Sequence, residues 1–128
     1  MSDKQNKKIL VIEDEATLQK ALTTILVQEG FDVHSSLDGE NGYKAASTFE
    51  PDLILLDLIL PKMDGYEVLA NLKKEEKTKN IPIIILTNLG SVNDVQKALD
   101  LGATTYLVKT DYDLTDVVGK IKQALSLK

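Results

Sequence analysis

Three unbroken apolar stretches, Ile9–Ile12, Leu53–Leu56 and Ile83–Leu86, most constrain what this chain can fold into. Each is rich in Ile, Leu or Val and lacks polar alternation, as strands buried on both faces of a parallel sheet require. Periodicity alone would also fit short buried helices. The flanks decide for strands, because Pro51 precedes the second stretch and Pro82 opens the third. Two weaker strands fit the remaining space: Phe31–His34, which alternates like an edge strand, and Thr105–Val108, which follows Gly102. Helical spacing appears at Leu18, Ala21, Leu22, Ile25 and Leu26, with Gly30 placed to end that helix. Leu114, Val117, Val118, Ile121 and Leu125 make a similar stripe. Weaker stripes run through Tyr43 and Ala46, through Val68, Leu69 and Leu72, and through Val92, Val95 and Leu99. Asp64 and Glu67 have the spacing of a capping box, and Ser91 is placed to cap the helix after it.

Strand and helix thus alternate five times without a linker or internal repeat, which predicts an α/β three-layer sandwich with right-handed crossovers. By analogy with flavodoxin-like (βα)5 folds, the parallel sheet is expected in the order 2-1-3-4-5. A chain of 128 residues is expected to be a single domain, with its core over about 8–125. There is no cysteine and only one histidine, His34, which excludes disulfides, thiolate sites and multi-histidine metal sites. The net charge of −5 argues against a nucleic-acid partner and against an anionic membrane, because both need a cationic face. The polar start, Met1 to Lys8, is followed by an apolar stretch too short for a signal peptide or a membrane span, so a cytoplasmic location is expected. The run from Lys73 to Lys77 reads as a solvated helix end, and His34 as a residue at the end of the edge strand with no nameable partner.

In a right-handed parallel sheet all strands end on one edge, where ligands bind. The residues just past the stretches are Glu13 and Asp14, then Asp57, then Thr87, and Lys109 follows the fifth strand. Any one of them has an ordinary explanation, since loops are solvated and Asp caps helices. Three carboxylates, a hydroxyl and an ammonium on one edge form a coherent set. Carboxylates this close repel, so protonation or a cation must neutralise them. Hard oxygen ligands without His or Cys select Mg²⁺ over zinc. Lys109 suits a phosphoryl group as a mobile charge, and Thr87 can donate a hydrogen bond to it. A carboxylate can itself be the nucleophile and form an aspartyl phosphate, and Asp57 on the central strand is the best placed.

With these residues the chain resembles the receiver domain of two-component response regulators, over Lys8 to about Leu125. The resemblance rests on Ile9-Leu-Val-Ile-Glu13-Asp14-Glu15, on Asp52 to Asp57 continuing to Pro61 and Asp64-Gly65, on Ile84-Ile-Leu-Thr87, and on Gly102 to Lys109. It implies that Asp57 accepts a phosphoryl group from a histidine kinase or phosphotransfer protein. It further implies that Asp14, Asp57 and the main-chain carbonyl of Ile59 bind Mg²⁺, that Glu13 acts on the metal through water, and that Thr87 and Lys109 hold phosphoryl oxygens. Pro61, Asp64 and Gly65 are expected to be structural: a rigid turn, a helix cap and a permissive backbone position. Tyr106 matches the family's switch aromatic. The alternative for it is a plain edge-strand residue with its hydroxyl in water.

Two positions depart from the family pattern. Receivers usually carry Pro after the conserved lysine, joined by a cis bond, whereas Thr110 follows Lys109 here. A cis bond without proline costs roughly 2.5–4 kcal/mol, so a trans bond is expected, with a changed path into the last helix. Asn88 replaces a usually small residue and either narrows the pocket or offers it an amide. Ile59 and Leu89 occupy positions that tune hydrolysis, and neither can orient a water, which predicts a long-lived phosphoryl group. A phosphatase of the haloacid-dehalogenase type would need an acid where Ile59 stands. A flavodoxin-type cofactor binder would need a first loop without Glu13, Asp14 and Glu15. A docking module of receiver shape that is never phosphorylated remains the alternative function. With no further domain after Lys128, the expectation is a stand-alone receiver, a phosphorelay intermediate or an excised piece. Receivers that dimerise through their fourth and fifth helices usually carry acidic residues after the Gly-Ala and an arginine in the last helix. Here Thr104 and Thr105 follow Gly102-Ala103 and that helix has no arginine, so the resemblance implies a monomer or a different dimer.

Overall fold

A computed structural model of the chain describes residues 7–127. The elements follow in strict alternation: β1 (Lys8–Ile12), α1 (Ala16–Gln28), β2 (Asp32–Ser36), α2 (Gly39–Phe49), β3 (Leu53–Leu56) and α3 (Gly65–Lys74). After them come β4 (Ile83–Thr87), α4 (Val92–Asp100), β5 (Thr105–Val108), a 3₁₀ turn (Lys109–Asp111) and α5 (Leu114–Ala124). All pairings are parallel, in the order β2-β1-β3-β4-β5. This is the flavodoxin-like sandwich that the alternation predicts.

Why the three central strands must be apolar throughout is visible in their two faces. Ile9, Val11, Leu53, Leu55, Ile84 and Leu86 pack with Leu22 and Leu26 of α1 and Val117 and Ile121 of α5. The intervening Leu10, Ile12, Ile54, Leu56, Ile83 and Ile85 pack with Ala46 of α2, Val68, Leu69 and Leu72 of α3, and Ala98 of α4. Successive strand side chains point to opposite faces, so a strand covered on both sides has no position for a polar residue.

Local differences from the expected elements have physical causes. β2 begins at Asp32 rather than Phe31 and runs on to Ser36. Gly30, at φ 95°, ends α1 and donates to the Val27 carbonyl, while Phe31 donates to Leu26 and is buried below it. Phe31 is therefore the apolar residue that follows a glycine helix cap. His34 sits within β2, not at its end, and its ring packs 5.4 Å from that of Phe49. Asp64 caps α3 by accepting the Glu67 N–H, and the reciprocal box forms at Asp113 and Asp116 of α5. Ser91 caps α4 as expected.

Two expectations fail. The stripe Val92, Val95, Leu99 does not face the core: Val92 is 82% exposed and Leu99 42%, while Ala98 is the fully buried residue of α4. The small Ala98 is buried against the core, while Val92 and Leu99 stay on the outer surface and Val95 is half-buried. Lys73 is not a free solvated charge either. Its ammonium donates to the carbonyls of Lys79 at 3.1 Å and Ile81 at 2.9 Å, and burial lowers its pKa. Its stem fills the space beside Gly102, where a Cβ would lie 3.0 Å from the Lys73 Cγ.

Candidate functional site

Parallel register brings the strand ends together. Ile12 lies beside both Ser36 and Leu56, and Leu56 beside Ile85. Just beyond these rows, the Glu13 N–H donates to the Ser36 carbonyl at 3.0 Å and the Asp57 N–H to the Ile12 carbonyl at 3.0 Å. The backbone ladder thus continues one residue past the apolar stretches and fixes both carboxylates. Glu13 is 2% exposed and Asp57 4%, whereas Asp14 is exposed. Glu13, Asp14 and Asp57 each place a carboxylate oxygen within 4.8 Å of the others, the one such group among the described residues.

Lys109 reaches into this group from β5. Its ammonium lies 2.9 Å from Asp57 Oδ2, 3.0 Å from Glu13 Oε1 and 3.5 Å from Glu15 Oε1. The Lys109–Thr110 bond is trans, as are all peptide bonds among the described residues. The 3₁₀ turn Lys109–Asp111 carries the chain on toward α5, so the missing proline changes the path and leaves the lysine's reach intact. Burial drives the Glu13 carboxyl up to about 7, with the charge of Asp57 adding to it and the Glu15 N–H and Lys109 opposing. Burial by itself would lower the Lys109 ammonium, but its hydrogen bonds to Asp57 and Glu13 and their charges outweigh it, so its pKa is raised. One cation among this many carboxylates leaves a negative excess, and all the oxygens are hard donors. A divalent, oxygen-seeking cation such as Mg²⁺ fits that donor set.

The segment after Asp57 is held by close backbone approach. The Ile59 N–H donates to Asp57 Oδ1 at 3.1 Å, and the Ile59 side chain is 51% exposed. Gly65 donates to the Leu58 carbonyl at 2.9 Å. Its glycine identity is a matter of space rather than of backbone freedom: its φ is not positive, and a Cβ would lie 2.3 Å from the Asp57 carbonyl oxygen. The left-handed position of this loop is Lys62, at φ 70°. Gly39 donates to the Pro61 carbonyl at 3.2 Å, so α2 buttresses the same loop.

Thr87 ends β4, is fully buried, and its hydroxyl accepts the Leu89 N–H at 3.5 Å; it is not hydrogen-bonded to the carboxylates. The half-buried Tyr106 donates its hydroxyl to the Leu89 carbonyl at 2.6 Å, which removes the alternative of a hydroxyl in water. Asn88 is exposed. Sequence reasoning missed the carbonyl of Leu89, the support from Gly39 and the pairing of Glu15 with Lys109. Backbone acceptors carry no side-chain signal, and Glu15 was visible only as part of an acidic run.

The model of the response regulator receiver domain matches residues 9–122. The chain belongs to that family. This receiver is 36% identical over 118 residues to a DNA-binding dual master transcriptional regulator, RpaA, of Synechocystis, covering 92% of the receiver and 48% of the relative. It spans about half the length of the curated relatives it matches. Among solved structures it is similar to a CheY-like receiver from Methanospirillum hungatei, with TM-score 0.87, 28% identity, and coverage of 94% of each chain. It is also similar to the receiver domain of the sensor histidine kinase PA1611 of Pseudomonas aeruginosa, which holds a magnesium ion in its active-site cleft. That match has TM-score 0.83 and 27% identity, and covers 92% of this receiver and 96% of the other chain.

The relatives overturn one expectation. A net charge of −5 argues against a nucleic-acid partner, yet a relative 36% identical over 118 residues is a DNA-binding regulator. The charge describes these 128 residues and does not reach the half of the relative that they do not match. Among the described residues no helix is long and apolar enough to cross a membrane.

Proposed function

We propose that this receiver is a phosphorylation-driven switch in which Asp57 accepts a phosphoryl group from a histidine kinase or a phosphotransfer protein. The observation that carries the reading is the meeting of Glu13, Asp14 and Asp57 within 4.8 Å, with the Lys109 ammonium 2.9 Å from Asp57. In this reading an Asp57 carboxylate oxygen attacks phosphorus, the donor's phosphorus–nitrogen bond breaks, and its imidazole leaves with the electron pair. Asp14, Asp57 and the Ile59 carbonyl would hold Mg²⁺, with Glu13 acting through water, and the ion would offset the charge gathered on the phosphoryl oxygens. Exposed Asp14 beside two buried carboxylates suits a cation that keeps part of its water. Lys109, 2.9 Å from Asp57, would pair with a phosphoryl oxygen once Asp57 carries the acyl phosphate, and Thr87 would donate its hydroxyl to another after releasing the Leu89 N–H.

The same reading makes the phosphoryl group long-lived. The side chains at Ile59 and Leu89 are apolar, so neither can orient an attacking water. A half-life of seconds in simple buffer would contradict this.

The test is intact mass after incubation with acetyl phosphate and Mg²⁺. One phosphoryl mass is expected, absent from Asp57→Ala and absent when the metal is chelated. No gain in the unmodified protein would favour a docking module that is never phosphorylated.

A further inference from the structure

The segment from Thr87 to Asp94 joins the site to α4, and side chains hold it from two sides. On the β5 side, the Tyr106 hydroxyl donates to the Leu89 carbonyl at 2.6 Å. On the α3 side, the Tyr66 hydroxyl donates to Asp94 Oδ1 at 2.8 Å, and the Lys97 ammonium lies 4.1 Å from the centre of the Tyr66 ring. Between them, Ser91 Oγ accepts the Asp94 N–H at 3.0 Å and donates to Asp94 Oδ2 at 2.8 Å. No part of the phosphoryl site uses Tyr66. Yet it follows Gly65, whose backbone packs on Asp57, so Tyr66 spans from the phosphorylation loop to the first turn of α4.

These contacts are of the stronger kind. A hydroxyl donating to an ionised carboxylate is charge-assisted, and an ammonium over a ring face adds to it. Burial, then the hydrogen bond and charge of Asp94, hold the Tyr66 phenol well above its ordinary range, so it stays a donor. Hydrogen bonds from Ser91 and Tyr66 hold the Asp94 carboxyl below its ordinary range, so it stays an acceptor. Packing does little of this work, because only Ala98 of α4 is fully buried.

We propose that Tyr66 is a positioning residue: with Asp94 and Lys97 it fixes the first turn of α4 where the Leu89 carbonyl can receive the Tyr106 hydroxyl. It thereby favours the docked arrangement of Tyr106 over its alternatives. This rests on the switch reading above and adds to it that Tyr106, the switch aromatic, is docked when Asp57 carries a phosphoryl group.

The test is an NMR titration of the full chain with Mg²⁺ and beryllofluoride, a phosphoryl mimic, read at the amides of residues 88–94. In the unmodified protein these amides should move. Tyr66→Phe and Asp94→Asn should each bind the mimic roughly three- to tenfold more weakly, as expected for a modest coupling between sites. Their unliganded amides at 88–94 should also lie farther from the bound positions, and Tyr66→Phe with Tyr106→Phe should cost less than the two losses combined. Unchanged affinity in both variants, with shifts confined to residues 66 and 94, would reduce Tyr66 to a structural staple and leave the switch standing. No response in the unmodified protein would overturn the switch, and the role of Tyr66 with it.

Discussion

The two sides of the site are built to different standards. On the β1–β3 side, Glu13 and Asp57 are buried, tied into the backbone ladder and closed over by Gly65 and α3, which buries Val68, Leu69 and Leu72. On the β4–α4 side, a short segment hangs on hydrogen bonds from Tyr106 and Tyr66, and its helix buries little besides Ala98. Under the proposed function the difference matches two tasks. A nucleophile and its metal ligands must be held to a fixed geometry, whereas a reporter must move for a modest change in free energy.

The sharpest way to break that comparison is to truncate a helix on each side. Leu69→Ala removes a fully buried side chain and should destabilise the fold by roughly 2–5 kcal/mol in urea unfolding. Val92→Ala, at 82% exposure, should stay within about 0.5 kcal/mol. Equal losses would mean that α4 is packed as firmly as α3. Glycine substitution gives a second, smaller contrast. Gly65→Ala puts a Cβ 2.3 Å from the Asp57 carbonyl oxygen and should cost roughly 1–3 kcal/mol, with slower phosphorylation. At Gly90 the nearest atoms are Val108 methyls at 3.6 and 3.8 Å, so Gly90→Ala should unfold at nearly the same urea concentration as the unmodified protein.

A third contrast is a pH dependence confined to the chemical side. The Glu13 carboxyl has an ordinary value of 4.5 and stands at about 7 in the folded protein, raised chiefly by burial. Between these values the folded state keeps a proton that the unfolded chain has lost. The stability Glu13 contributes is therefore complete below 4.5 and lost as pH rises through about 7. Thermal unfolding of the metal-free protein should show this decline, and Glu13→Gln should flatten it. An unchanged slope in the variant would assign the decline to other groups.

How much of this was legible in the sequence follows the same division. Strand placement and the chemical residues could be read, because a strand buried on both faces must be apolar and the polar residue after it must lie at the sheet edge. Glu13, Asp14, Asp57 and Lys109 meet where that logic puts them. The α4 stripe was misread because helical spacing shows that a face exists, not which side the core takes, and the small Ala98 was the true contact. Gly65 reads in the sequence as a permissive backbone position, whereas what it supplies in the fold is room. Lys73 bonds backbone carbonyls in the loop just after its helix, and Tyr66 latches onto the carboxylate of Asp94 in the next helix, and for neither contact does a lone sequence carry a pattern.

The phosphoryl group should go to Asp57. After acetyl phosphate and Mg²⁺ treatment, borohydride reduces an acyl phosphate to an alcohol and marks the residue that carried it. Peptide mass mapping should find the reduced residue at Asp57 alone, with Glu13 and Asp14 unmodified. A mark on either of those two, or a stable phosphoester on a serine or threonine in place of it, would contradict the account.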